Sequence, residues 1–344
     1  MPSRRRERFM ESKEEIEKSC RQAIEDIARV KSEVSKVFFG QESLIEELLI
    51  ALLCGGHVLL EGVPGVGKTH LIKSLSRALS LSFSRIQFTP DLMPADLIGT
   101  PILVKDNQGD RIFRFQKGPL FSHVVLADEI NRATPKTQSA LLEVMEEKQI
   151  TVSGQAHPLE DPYFVLATQN PIEMEGTYPL PEAQIDRFFF KLSVPYPDEA
   201  HLFRMIDLVT GEDAPEVHEV LDRKRLIEIQ HLVRRVLVAD DVKQYAVSLV
   251  LATSPERHSN QVSQAKQGAV NMIRYGAGPR GILAIILAGK GRALLRGRFH
   301  VSKEDIREVA LPALRHRILL SFEGEIDGIE TDQLIRKIIE GMKT

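Results

Sequence analysis

The chain has no tryptophan, and aromatic residues make up only 6% of it. So few rings argue against a platform on which nucleic-acid bases stack. Two cysteines, Cys20 and Cys54, build neither a disulfide framework nor a zinc site, and their scarcity fits a reducing cytoplasm. The ten histidines fall into no H-x-x-x-H spacing, and no C-x-x-C pair is present. No apolar run approaches the ~20 residues that a membrane-spanning helix needs. The start, Met1-Pro2-Ser3-Arg4-Arg5-Arg6, is basic, but polar and charged residues follow where a signal peptide carries an apolar stretch. An excess of one charge is missing too. With 45 basic against 48 acidic residues the formal charge is −3, so no overall field draws the chain to nucleic acid. These absences leave a soluble, cytoplasmic chain of 344 residues, long enough for two domains with cores of their own.

Against that background stands Gly62-Val63-Pro64-Gly65-Val66-Gly67-Lys68-Thr69, which fits the phosphate-binding pattern G-x-x-x-x-G-K-[ST]. His57-Val58-Leu59-Leu60-Glu61 before it reads as a buried strand. After it, Leu71, Ile72, Leu75, Ala78 and Leu79 recur at helical spacing. Strand, glycine loop and helix start aim backbone N–H groups and a positive dipole end at one point. A nucleotide with its Mg2+ is the expected ligand. Lys68 reaches the β- and γ-phosphates, and the Thr69 hydroxyl helps hold the metal. The competing interpretation, a chance glycine-rich turn, leaves the strand and helix unexplained.

Val124-Val125-Leu126-Ala127-Asp128-Glu129 is an apolar run ending in two acids. It predicts a buried parallel strand that delivers carboxylates to the sheet's carboxyl edge, where ligands bind in open α/β sheets. Asp128 is assigned to Mg2+ and Glu129 to orienting the attacking water. Alone, such a pair is usually a solvated strand end. Beside a P-loop it favours hydrolysis over mere binding.

Residues 1–36 are charge-rich, with Ile16, Cys20, Ile24, Ile27, Val30 and Val34 on one helical stripe. Docking on the chain's own domain or on a partner both fit this pattern. Residues 37–197 alternate strands and helices and include two hairpins, at about 97–117 and 149–160. The first has its tip near Asn107-Gln108-Gly109-Asp110 and the second turns near Ser153-Gly154. Thr134 and Pro135 start a helix whose buried face is Ala140, Leu141, Val144 and Met145. Pro195-Tyr196-Pro197 marks a boundary, and residues 198–344 are helical in period throughout, with a capping-box start at Ser302 to Asp305. The expected fold is α/β: a three-layer αβα nucleotide domain on a parallel sheet, followed by an all-helical lid. Gly289-Lys290-Gly291-Arg292 has no strand before it and lies within a helical period, so it is not a second phosphate loop.

P-loop, Asp128-Glu129, Asn170, Arg187 and Arg280 follow the order of the AAA+ ATPases. More closely, four segments resemble the MoxR family of the helix-2-insert clade, which is related to magnesium chelatase motor subunits. They are the P-loop, Ala127 to Ala133, Ala167-Thr168-Gln169-Asn170-Pro171, and Glu182-Ala183-Gln184-Ile185-Asp186-Arg187-Phe188. The two hairpins are similar to that clade's insertions, and the resemblance spans roughly Phe38 to Leu320. It implies Asn170 as sensor 1, Arg187 as an arginine finger reaching a neighbour's γ-phosphate, and Arg280 as sensor 2, touching the γ-phosphate from the lid. A plain Asn-Pro turn and a salt-bridged strand start are the bland alternatives for Asn170 and Arg187. The catalytic set implied is Glu129, Lys68, Asn170, Arg187 and Arg280. The nucleotide set is Gly40, Gln41, Gly62, Pro64, Gly65, Val66, Gly67, Lys68, Thr69 and His70. The metal set is Thr69 and Asp128. Where the family pattern has Ser before Pro279 and Ala after Arg280, this chain has Gly278 and Gly281, and Gly281 adds backbone freedom.

The resemblance further implies a homo-hexameric ring that hydrolyses ATP to remodel, assemble or activate a protein client, as in metalloenzyme maturation. A separate partner with a von Willebrand factor A domain is often associated. A magnesium-chelatase-like motor, a DNA-remodelling ATPase and a nucleotide-gated scaffold are the alternatives. Charge balance disfavours DNA, and the intact catalytic set disfavours the scaffold. The polar hairpin tips suit client or ring-pore contacts, or packing between subunits.

Overall fold

A computed structural model describes residues 13–342, apart from 64, 106, 108–109, 153, 171–175, 197, 211–214 and 256–271. Of the residues singled out above, Met1 to Arg6, Pro64, Gln108, Gly109, Ser153, Pro171 and Pro197 lie outside the described residues. The strands are β1 (Val58–Glu61), β2 (Phe83–Gln87), β3 (Gly99–Lys105), β4 (Arg111–Lys117), β5 (Val124–Asp128), β6 (Gln149–Val152), β7 (Gln155–Pro158), β8 (Phe164–Gln169), β9 (Phe190–Ser193), β10 (Ile273–Tyr275) and β11 (Leu319–Leu320).

Five of them form one sheet in the order β2-β5-β8-β1-β9, with every pair parallel. Near-continuous apolar runs suit such strands, because both faces are covered. Alternate residues feed two separate cores. Val58, Leu60, Val124, Leu126, Phe164 and Leu166 join one core. Leu59, Val125, Ala127, Val165 and Ala167 join the other. The first core holds the helices Lys13–Ser35, Glu42–Cys54 and Lys68–Ala78. The second holds the helix Pro135–Glu147, whose buried face is Leu141, Leu142, Val144 and Met145, with Leu142 in the place expected for Ala140. This is the three-layer αβα arrangement.

The N-terminal helix docks on its own chain. Cys20, Ala23, Ile27, Val30 and Val34 are buried in the first core, against the helices Lys68–Ala78 and Pro279–Leu295. Both expected hairpins form, β3 with β4 and β6 with β7. They touch each other: the Phe115 ring stacks on His157 with centroids 4.8 Å apart, and Phe121 meets both edge-on.

The C-terminal region is helical, through Arg223–Arg235, Asp240–Leu251, Pro279–Leu295, Lys303–Leu314 and Thr331–Gly341. The all-helical expectation needs one correction, since β10 pairs antiparallel with β11. Strands of two and three residues are too short for an alternating pattern to register. Gly289 to Arg292 lie inside the helix Pro279–Leu295, as expected. No helix among the described residues is long and apolar enough to cross a membrane.

The Lys303–Leu314 helix starts on a capping box between Ser302 and Asp305. Asp305 is fully buried, and the Arg298 guanidinium forks onto both its oxygens at 2.6 and 2.8 Å. Burial pushes the Asp305 carboxyl up, but hydrogen bonds from Arg298 and Ser302 outweigh it and leave the pKa below the usual carboxylate value. A depressed folded pKa adds stability above the unfolded value and loses it as pH falls through the folded one. Asp305→Asn should therefore cost about 3 kcal/mol at neutral pH, because it unpairs the Arg298 charge. Thermal melts of both proteins should draw together as pH falls from about 4 through the depressed folded pKa. A gap unchanged from pH 7 to pH 3 would show that this ion pair does not govern the difference.

Candidate nucleotide-binding site

β1 runs into the phosphate loop from inside the sheet, between β8 and β9. Gly65 and Gly67 hold φ of +83° and +82°, a region that a side chain would resist. Gly67 caps the helix Lys68–Ala78, so that helix's free N–H groups point into the loop. Lys68 folds back, its Nζ donating to the Gly62 carbonyl at 2.7 Å and the Val63 carbonyl at 3.2 Å. Partial burial lowers its pKa, and Asp128 and Glu129 work in the opposite direction. A cavity of about 380 Å³ is walled by Gly62, Gly65, Gly67, Lys68, Thr69 and His70 on one side and by Asp128, Glu129 and Asn170 on the other. Val66 is buried beneath the loop.

Gly40 and Gln41 do not line this cavity. Gly40 adjoins His201, and Gln41 is buried with Nε2 directed at the Pro195 carbonyl, 3.5 Å away. Phe38 brings this segment against Gly67. Among the described residues no group of three or more His, Cys, Asp and Glu side chains is placed to hold a metal by itself. The side chains expected to hold a metal, Thr69 and Asp128, both line this cavity.

Four side chains that the sequence alone did not assign hold the two acids. Thr168 Oγ1 donates to Asp128 Oδ1 at 2.6 Å and accepts from the Glu129 N–H at 2.8 Å. Arg85 Nη2 and Nε donate to Asp128 Oδ2 at 2.6 and 3.1 Å. Gln87 Nε2 donates to Glu129 Oε2 at 2.7 Å, and Arg132 pairs with the same oxygen at 3.3 Å. Glu129 has a left-handed backbone, φ 56° and ψ 50°, a cost of order 1–3 kcal/mol for a non-glycine residue. The Thr168 bond fixes it there. Arg85 could have been found from its parity, two residues before Gln87 on the same strand face. Thr168 depends on register: Ala127 lies opposite Ala167, which sets Asp128 beside Thr168.

The two arginines are elsewhere. Because the strands are parallel, residues just before β1 and β9 share the amino edge, opposite the phosphate loop. His57 and Arg187 lie there, in a small recess with Met145, Glu146 and Arg280. Glu146 bridges the pair: Oε2 is 3.1 Å from Arg187 Nη2, and Oε1 is 2.5 Å from Arg280 Nη2. Arg280 Nη1 also lies 3.5 Å from Asp186 Oδ2. His57 ties the recess to the sheet, its Nε2–H donating to the Met145 carbonyl and its Nδ1 accepting from the Val165 N–H, both at 3.1 Å. Burial pushes its pKa down to about 4, so it stays neutral. Arg280, expected over the γ-phosphate, is thus brought to Arg187 and not to Lys68. Strand length alone, ~3.3 Å per residue over four residues or more, sets the two edges ~13 Å or more apart.

The profile of the ATPase family associated with various cellular activities (AAA) matches residues 57–190, and that of the AAA lid domain matches residues 266–338. The chain is 41% identical over 321 residues to Chaperone MoxR1 of Mycobacterium tuberculosis, covering 92% of this chain and 82% of that protein. It is 31% identical over 328 residues to Protein MoxR of Methylorubrum extorquens, covering 91% and 93%. A crystal structure of a candidate ATPase from Cytophaga hutchinsonii superposes with a TM-score of 0.87 at 40% identity, covering 95% of this chain and 97% of that one. Likeness over nearly the whole length, on a P-loop sheet of this strand order, makes the chain a member of the MoxR family of AAA+ ATPases.

Proposed function

We propose that the chain hydrolyses ATP with Mg2+ at sites shared between neighbouring copies of a six-membered ring, and couples turnover to remodelling or activating a protein client. The observation that carries the shared site is the place of Arg187 and Arg280. They form one cluster on the edge of the sheet away from the phosphate loop, where their own chain's nucleotide is beyond reach. A head-to-tail ring brings one copy's arginine edge against the next copy's phosphate edge.

The cavity residues fit ATP. The glycine backbone and the helix start take the phosphate chain. Lys68 is poised on two carbonyls that it can exchange for phosphate oxygens. Thr69 and Asp128 would hold Mg2+, which neutralises charge on the phosphate oxygens when bound. Glu129 then orients the attacking water and holds its proton, and Asn170 steadies the terminal phosphate. Releasing Glu129 requires breaking its bond to Gln87, and freeing Asp128 requires moving Arg85. A neighbour's Arg187, with Arg280, offsets the charge that develops on the transferred phosphoryl group.

The client reading is supported by the chaperone name of one relative and by the first hairpin. Leu103 and Phe113 pair across β3 and β4, and both are exposed. With Lys105 opposite Arg111 on the same face, the hairpin offers a basic, apolar surface to an unfolded or acidic segment. Metalloenzyme maturation, and a separate partner bearing a von Willebrand factor A domain, belong to this same proposal.

Glu129→Gln should keep ATP binding while lowering turnover by ~10² or more, since it removes the group that takes the water's proton. Arg187→Ala and Lys68→Ala should each be inactive alone, yet regain ATPase when mixed, because each supplies the half-site that the other lacks. No recovery on mixing, in assemblies shown to exchange subunits, would place both halves in one chain. Phe113→Ser should leave the basal rate within ~2-fold and lose stimulation by a denatured protein substrate, as expected for an exposed apolar contact. Equal stimulation of both proteins would remove the hairpin from client binding.

A further inference from the structure

The run Arg315-His316-Arg317 of the lid grips the segment that carries Arg187. Arg317 is buried to 3% side-chain exposure. A guanidinium has five N–H donors in a fixed fork, and here all are used. Nε donates to Asp186 Oδ1 at 2.8 Å, Nη2 to the Asp186 and Phe188 carbonyls at 3.0 and 2.6 Å, and Nη1 to the Phe189 carbonyl at 3.2 Å and to the Ala313 carbonyl. His316 Nε2 donates to the same Phe188 carbonyl at 3.0 Å, and Arg315 Nη1 to the Lys191 carbonyl at 3.3 Å. The carbonyls at Asp186, Phe188 and Phe189 lie in the segment between the short helix Glu182–Ile185 and β9.

Asp186 also faces Arg280, and Glu146 joins Arg280 to Arg187. The charges therefore alternate along one chain, Arg317, Asp186, Arg280, Glu146, Arg187, from the lid interior to the exposed arginine edge. Gly281 makes room for this. A side chain there would come within 3.1 Å of Leu314 and 3.4 Å of the Arg317 stem. The residue that the sequence marks for backbone freedom thus sits in close packing within the lid.

We infer that Arg317 is a positioning residue. It locks the lid to the Asp186–Arg187 segment, so that Arg187 and Arg280 are presented together, at a fixed spacing, to the neighbouring copy's nucleotide. This rests on the shared-site reading above. Arg317 has no contact with its own chain's phosphate cavity, so its loss should impair the next copy's site and not its own. Lysine, with three donors and no fork, cannot replace it.

The test uses purified full-length chains and ATP. Arg317→Lys should lower kcat by ~10-fold or more with KM for ATP within ~3-fold, as a small misplacement of a catalytic group does. Mixed 1:1 with Lys68→Ala, it should recover to about a quarter of the wild-type rate, the share of interfaces that pair an intact phosphate loop with an intact arginine edge in a head-to-tail ring. Asp186→Asn, which keeps the side chain's shape and removes the shared anion, should behave alike if Arg317→Lys does not fold. The mixture of Arg187→Ala with Lys68→Ala is the control. If the control recovers and neither positioning variant does, the positioning role is overturned. If the control itself fails to recover, the shared site falls instead. A kcat for both positioning variants equal to wild type would also overturn the inference.

Discussion

Everything functional in this molecule depends on five strands running in one direction. A parallel sheet gathers the ends of its strands at one edge and their beginnings at the other. The phosphate loop after β1, the acids after β5 and Asn170 after β8 accordingly meet at a single edge. Residues that precede strands, His57 before β1 and Arg187 before β9, gather at the opposite edge, and the lid adds Arg280 to them. Each chain therefore carries its phosphate-loop residues and its two arginines on opposite edges of the sheet. In the proposed ring, a head-to-tail assembly would bring them together.

Both half-sites are held by paired charges, and the pairing differs in kind. At the carboxyl edge Asp128 and Glu129 are engaged by partly exposed groups, Arg85, Gln87 and Arg132, which solvent and ligand can displace at low cost. At the amino edge the chain of charges starts from a buried guanidinium whose donors are all used. Breaking it would strand carbonyls and a carboxylate in a low-dielectric interior, which is costly. The acids beside the phosphate loop are loosely held, and the arginine edge is stiff. The two hairpins follow the same division. They pack on each other through Phe115 and His157 while Leu103 and Phe113 stay exposed.

Much of this was legible in the sequence because the deciding physics is local. The phosphate loop is read from glycines that only a left-handed backbone needs, with Lys68 and Thr69 at the fixed spacing that a helix start imposes. Asp128 and Glu129 are read from an apolar run that ends in two charges. Helix starts at Thr134 and Ser302 are set by residues within four positions of one another. Family resemblance added Asn170, Arg187 and Arg280, residues whose types are too common to stand out unaided.

What the tertiary structure decided is which of these residues meet. Thr168 reaches Asp128 only through the register of β8 on β5, and Arg85 only because β2 pairs beside β5. Arg317 lies 131 positions from the Asp186 that it grips, and nothing local marks it. Gly281 shows the limit most clearly: by composition it signals freedom, and by packing it sits close against Leu314 and the Arg317 stem. Local backbone chemistry is written in neighbouring residues, so the sequence by itself determined the loop, the acid pair and the helix starts. Strand order, register and lid docking arise from contacts between distant segments, so only the folded chain could place the two arginines on the edge opposite their own phosphate loop.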